Sequence, residues 1–248
     1  MSARDDIAQQ MDDLLNRLTT REGRIEFLKR AMRVGMDGAY RRLTALYESE
    51  GLYEEAAKLA EKYGDPQAVI MHHRRQLEAA VAAGRFEEAG RVARKLNLNN
   101  EAVEFFLRAG QLPSAAQLAE KLGDVDRALE LYERAGWFED AASLAERAGR
   151  RDRALELYEK QIKQFESTGL IHEAYQLAEK LGLTERAIGI YEKAGVYEHA
   201  ARLAETMGSA ERAMTLYEKA GLFENAALLA ERLGLMDRMM TYRTLAQI

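Results

Sequence analysis

A set of glycines recurs along this 248-residue chain at two intervals. Gly51, Gly84, Gly110, Gly136, Gly169, Gly195 and Gly221 are separated by 33, 26, 26, 33, 26 and 26 residues. Thirteen residues after each stands Gly64, Asn97, Gly123, Gly149, Gly182, Gly208 or Gly234. Glycine enters the left-handed backbone region without steric cost, and asparagine is its best substitute there. A left-handed residue closes the last turn of a helix, so the spacing predicts a succession of short helices, each ended by its own cap.

Two kinds of segment lie between the caps. Segment A runs aromatic-Glu-x-Ala-Ala-x-Leu-Ala-Glu-Lys/Arg, as in Phe138 to Arg147, and segment B runs Asp/Glu-Arg-Ala-Leu-x-Leu-Tyr-Glu-Lys/Arg-Ala-Gly, as in Asp126 to Gly136. Both put apolar residues at offsets 2, 5, 6, 8, 9 and 12 from the preceding cap. That stripe has helical period and is wider than a coiled-coil seam. Strict alternation, the strand signature, is absent. Acidic residues at offset 3 and basic residues at offset 11 complement the helix dipole. We expect the recurring glutamates at offsets 3 and 10 to serve capping and i,i+4 pairing.

A helix of about 11 residues is marginal alone, and so broad an apolar stripe needs a neighbour on each side. The Ala pairs of segment A, such as Ala56-Ala57 and Ala141-Ala142, offer a flat surface. The Tyr of segment B (Tyr47, Tyr132, Tyr158, Tyr191, Tyr217) is expected to fill the space above it. Each 33-residue interval comes from a B segment seven residues longer, Asp65 to Ala83 and Arg150 to Thr168. Two matched 85-residue blocks result, 52–136 and 137–221. Residues 2–21 read as a separate amphipathic helix with Ile7, Met11, Leu14, Leu15 and Leu18 on one face, and residues 24–34 as a degenerate A helix. The expected organisation is capping helices over 1–38, then one continuous array over 39–248 ending in a C-terminal cap, with Arg243 where Tyr would stand.

Composition narrows the function. With 0 Cys there are no disulfides, thiolate nucleophiles or Cys-ligated zinc. A formal net charge of -5 gives no general attraction to nucleic acid. No stretch approaches the roughly 20 apolar residues of a membrane span, and the acidic first residues lack a signal-peptide core; a cytoplasmic chain without membrane insertion is expected. Neither GxGxxG nor GxxxxGK[ST] occurs. His72 and His73 are adjacent and diverge on a helix; His73, in the Tyr position, is expected to pack in the core. His172 and His199 sit at solvent-type offsets, and Trp137 is expected to pack across a turn. No catalytic residue, cofactor or metal site is expected, so the chain reads as a non-enzyme.

The segments Leu131-Tyr132-Glu133-Arg134-Ala135-Gly136-Trp137-Phe138-Glu139-Asp140-Ala141-Ala142 and Leu216-Tyr217-Glu218-Lys219-Ala220-Gly221-Leu222-Phe223-Glu224-Asn225-Ala226-Ala227 resemble the tetratricopeptide-like α-solenoid superfamily. They are most similar to the short-helix arrays of clathrin-type coat and intraflagellar-transport proteins. The resemblance implies an all-α, right-handed α-solenoid of antiparallel helix pairs, here with 26- and 33-residue repeats, and a role in protein–protein assembly. It also implies that the A helices line a concave groove.

Within segment A the position that differs most from unit to unit is offset 7: Lys58, Arg91, Gln117, Ser143, Gln176, Arg202 and Leu228. These residues are the candidate binding row for a protein partner with an acidic or polar segment; a merely solvated position would vary in the same way. The Met-rich end, with Met236, Met239 and Met240, is the candidate self-association surface, since Met surfaces adapt to many contacts. The expected function is a protein-interaction scaffold. The alternative is a subunit that self-assembles into a ring, coat or filament.

Overall fold

A computed structural model describes residues 3–247, with side chains from Gln9 onward. Among the described residues there are 17 α-helices and no strand. The chain divides into two compact units, residues 1–131 and 132–248.

The first unit opens with α1 (Ala3–Arg17) and α2 (Arg21–Arg33) and continues with α3 (Ala39–Ser49), α4 (Tyr53–Lys62), α5 (Pro66–Ala82), α6 (Phe86–Lys95), α7 (Asn99–Arg108) and α8 (Leu112–Lys121). The helix α9 (Val125–Ala135) contains the unit boundary. The second unit holds α10 (Phe138–Arg147), α11 (Arg151–Ser167), α12 (Ile171–Lys180), α13 (Thr184–Lys193), α14 (Tyr197–Thr206), α15 (Ala210–Lys219), α16 (Phe223–Arg232) and α17 (Met236–Leu245). Even-numbered helices from α4 are A segments and odd-numbered helices from α3 are B segments.

Each cap glycine has positive φ, and Asn97, at +59°, is the one non-glycine residue to do so among the described residues. At Gly110 (φ +71°) the amide of Gln111 donates to the carbonyl of Phe106 at 2.8 Å, and that of Gly110 to Leu107 at 3.0 Å. This pair of reversed bonds is the Schellman closure. Asn97 makes the same closure, with Leu98 donating to Ala93 at 2.9 Å. The turns are therefore fixed at two or three residues, and consecutive helices run antiparallel.

The Ala pairs are buried, and the five B-segment tyrosines are at most 9% exposed. Their hydroxyls have a defined fate. Tyr158, Tyr191 and Tyr217 donate to Glu146, Glu179 and Glu205 of the preceding A helix, at 3.2, 3.4 and 3.1 Å. The offset-10 glutamates of the A helices thus satisfy a buried phenol on the neighbouring helix. On the B helices they meet arginines. Arg153, Arg186 and Arg212 reach Glu133, Glu159 and Glu192 of the previous B helix, the last two at 3.4 and 3.0 Å. This corrects the expectation that offset 10 serves capping and i,i+4 pairing: these carboxylates tie helix to helix.

The ends differ from the sequence reading in register. Thr20 accepts from the amide of Gly23 at 3.2 Å, so α1 stops at Arg17 and α2 begins earlier than residue 24. Met11 is buried and Leu14 is exposed, while the side chain of Ile7 lies outside the described residues. Asp12 holds α1 to α3 by a two-pronged pair with Arg42, at 2.6 and 2.7 Å. That guanidinium keeps the Asp12 carboxyl below its ordinary pKa. In α17 the buried aromatic is Tyr242, one residue before the expected position, and it donates to Glu218 at 2.8 Å. Arg243 takes over the missing tyrosine's role by pairing with Glu231 of α16 at 2.9 Å.

His73 is corrected as well. The ring that enters the core is His72, fully buried, while His73 is half-exposed beside Gln76. Both positions fall on the apolar stripe, and offset 8, where His72 stands, is also the buried position at Leu131, Leu157, Ile190 and Leu216. His72 Nδ1 lies 3.1 Å from Glu48, whose carboxylate also pairs with Arg75 at 2.6 Å. Neither ring nitrogen completes a hydrogen bond. Burial lowers the His72 pKa from 6.5; Glu48 and Asp65 oppose that shift, and Arg75 and His73 add to it. The equivalent residue of the second block, Leu157, is also buried.

Two predictions follow from this packing. A lowered histidine pKa means the unfolded chain binds more protons on acidification, so the stability present above the ordinary value of 6.5 is lost as pH falls through and below it. His72→Leu should remove that component, giving a flatter loss of thermal stability between roughly pH 7.5 and 5.5; parallel losses in both proteins would contradict it. The helix-interior glycines should respond with opposite signs. A Cβ on Gly90 would meet the buried Phe106 ring at 2.9 Å, whereas one on Gly189 meets nothing within 4 Å. Gly189→Ala should raise stability by about 0.5–1 kcal/mol. Gly90→Ala should lower it by about 1 kcal/mol or more through overpacking. Denaturant melts of the two variants read the signs directly.

Candidate interaction surfaces

All seven offset-7 residues are exposed, as a row of variable positions between buried alanines requires. Three of them edge concavities. Lys58 lines a groove of about 330 Å³, Arg91 one of about 440 Å³ and Leu228 one of about 340 Å³. The grooves at Lys58 and Leu228 share one construction. In the first unit, α2 and α4 form the walls and Leu43 and Tyr47 of α3 the floor. In the second, Glu205 of α14 faces residues of α16 across Tyr217 of α15. Offsets 4, 7, 8 and 11 of the A helix line both grooves: Glu55, Lys58, Leu59 and Lys62 in one, Asn225, Leu228, Leu229 and Arg232 in the other. The groove is what remains when the B helix between two A helices presents its tyrosine at the bottom.

The charges of the row are partly spent at home. Lys58, Arg91 and Arg202 each pair with the offset-3 glutamate of their own helix, Glu54, Glu87 and Glu198, at 3.4, 3.2 and 2.5 Å. Glu54 also takes Lys95 of α6 at 3.2 Å, and its pKa is lowered chiefly by that lysine. Gln176 contacts His172 at 2.8 Å in the same i,i+4 arrangement. The row therefore offers a set of local polar pairs more than a strip of bare cations.

The sequence reading missed an aromatic run in the second unit. Tyr175 occupies a position that is Ala or Gly in the other A helices. Its ring stacks on Tyr191 at 4.1 Å, with His172 edge-on at 4.8 Å and His199 stacked on Tyr191 at 5.4 Å. Burial raises the Tyr191 pKa, and Glu179 adds to it. The signal available was the break in the Ala pair at Ala174-Tyr175. Trp137 lies against Tyr132 across the turn at 6.3 Å. Among the described residues no three of His, Asp and Glu gather as metal ligands.

At the far end, Met236 and Met240 are exposed one helical turn apart, while Met239 is partly buried against the core around Tyr242. Met240 repeats Ile70 and Leu155 at intervals of 85 residues, and all three are exposed. The same offset is buried at Val103, Leu129, Ile188 and Met214. Among the described residues no helix is long and apolar enough to cross a membrane.

No family model matches the chain, and no curated protein sequence matches it. Solved structures do. A tetratricopeptide repeat protein from Parabacteroides merdae ATCC 43184 is 14% identical, over 97% of this chain and 98% of that one, with a TM-score of 0.24. BtubC (BKLC) from P. vanneervenii is 12% identical, over 100% and 91%, with a TM-score of 0.20. A de novo designed helical repeat protein is 23% identical, over 99% and 100%, with a TM-score of 0.15. At such TM-scores the likenesses add nothing to the helix-by-helix description, on which the architecture stands. The chain is an all-α tandem helical-repeat protein.

A prediction follows from the helix-to-helix ties at offset 10. Tyr217→Phe leaves the ring in place and the part-buried Glu205 contact unmade. It should cost about 0.5–1.5 kcal/mol in denaturant unfolding, whereas an unchanged midpoint would show the hydroxyl idle.

Proposed function

We propose that this chain is a protein-interaction scaffold whose A-helix face holds a partner. One observation carries the reading. The positions that vary between repeats, Lys58, Arg91, Gln117, Ser143, Gln176, Arg202 and Leu228, are all exposed, and three of them edge grooves floored by neighbouring helices. Invariant positions make the stack, and variable ones face outward where a partner reads them. Six of the seven are polar or charged and the last, Leu228, is apolar.

The test is charge reversal of Lys58, Arg91 and Arg202 to Glu together. Each change puts two carboxylates at i,i+4, a penalty of roughly 0.2–0.5 kcal/mol per pair, so the fold is retained. Binding of a partner captured from the native host should fall by about tenfold or more. Unchanged binding by the folded variant would move the partner to the B helices.

A second reading, self-assembly, is supported by the exposed Met236 and Met240. Its test avoids Met239, which also packs inward. Met236→Glu with Met240→Glu should leave helix content intact and abolish any concentration-dependent oligomer seen by light scattering. An oligomer that survives places the contact elsewhere.

A further inference from the structure

The groove between α2 and α4 carries a charge that the corresponding groove of the second unit does not. Each of its walls presents two cations one helical turn apart, Lys29 and Arg33 from α2 and Lys58 and Lys62 from α4, against the single carboxylate of Glu55. Like charges at i,i+4 repel and weaken an isolated helix, yet this chain repeats the arrangement on facing walls. Lys58 shares Glu54 with Lys95; among the described residues Lys29, Arg33 and Lys62 pair with no carboxylate. The floor between the walls is apolar, made by Leu43, Tyr47 and Leu59, with Met32 beside them. In the second unit the matching groove is neutralised internally. There Arg232 spans it to Glu205 at 2.9 Å, and the floor tyrosine Tyr217 donates to the same carboxylate.

We propose that the α2–α4 groove docks an acidic segment of a protein partner, with one apolar side chain seated against Met32 and Leu59 above the buried Leu43 and Tyr47, and flanking carboxylates held by the two cationic walls. The inference rests on the scaffold reading and names the chemistry of the partner. Charge complementarity selects the occupant. The site is a local cationic cleft of about 330 Å³ on a chain whose net charge is -5. Extended polyanions and anionic bilayers meet that overall negative charge, whereas a short acidic segment meets only the cleft. The apolar floor adds the anchor that a free anion would not use.

Fluorescence anisotropy with three labelled peptides tests it on the intact chain. The first is a short peptide of Asp, Glu, Gly and Ser around one Leu. The second lacks the Leu, and the third carries Asn and Gln in place of the acids. The first should bind and weaken as salt rises, and each of the others should bind about tenfold more weakly or worse. Arg33→Glu with Lys62→Glu, one change on each wall and both at exposed residues without partners, should reduce the first peptide's affinity by about tenfold or more. Arg232→Glu, in the other groove, should leave it unchanged, and circular dichroism checks that each variant is folded. Equal binding of all three peptides, or indifference to the Arg33 and Lys62 reversals, overturns the assignment. So does preferential binding of phosphatidylserine vesicles or a single-stranded oligonucleotide. If wild type ignores the acidic peptide while the Lys58, Arg91 and Arg202 reversal still releases the captured partner, the groove assignment falls and the scaffold reading stands. If both experiments fail, both fall.

Discussion

Everything in this molecule depends on a left-handed residue just past the end of each helix. It turns the backbone so that the next amide reaches back to the helix's third-last residue, as Gln111 does to Phe106. The closure satisfies carbonyls that a helix end otherwise leaves bare. It also fixes helix length: with caps thirteen residues apart, ten or eleven residues are helical and two or three turn. A helix so short has little stability of its own. It must bury both flanks, and the Ala pair under a neighbouring tyrosine supplies that burial. Caps set the period, and the period makes stacking obligatory.

Stacking brings a second requirement, because a tyrosine that fills the gap carries a hydroxyl into the core. The offset-10 glutamate answers it from the preceding helix, and where the ring is Phe106 no partner is needed and the facing residue shrinks to Gly90. The long helices α5 and α11 relax the pattern. They bring polar side chains, Gln76 and Gln161, into the core at matching positions. Only the first also buries a histidine, His72, where α11 buries Leu157.

Much of this is legible in the residues. Cap spacing gives helix number, order and length, and the Ala pairs and tyrosines name the core. The offset-7 row follows from comparing one repeat with another. What the sequence hides depends on a neighbour that the repeat does not encode. His72 and His73 both lie on the stripe, and only the packed neighbours show which ring is covered. The glutamates at offset 10 look like surface pairs until the adjacent helix is in place, although a constant twelve-residue Glu-to-Tyr separation is a signal in hindsight. The cations of the α2–α4 groove escape notice because Lys29 and Arg33 stand in a helix outside the glycine count.

The surface is where this chain departs from uniform repetition, and the A-helix face is where partners are proposed to bind. Hydrogen–deuterium exchange of the intact chain with and without its captured partner tests that claim most directly. Slowed exchange is expected to concentrate in the A helices, foremost in α4, with α2 sharing it. Protection confined to the B helices, with α4 and α2 unchanged, would contradict it.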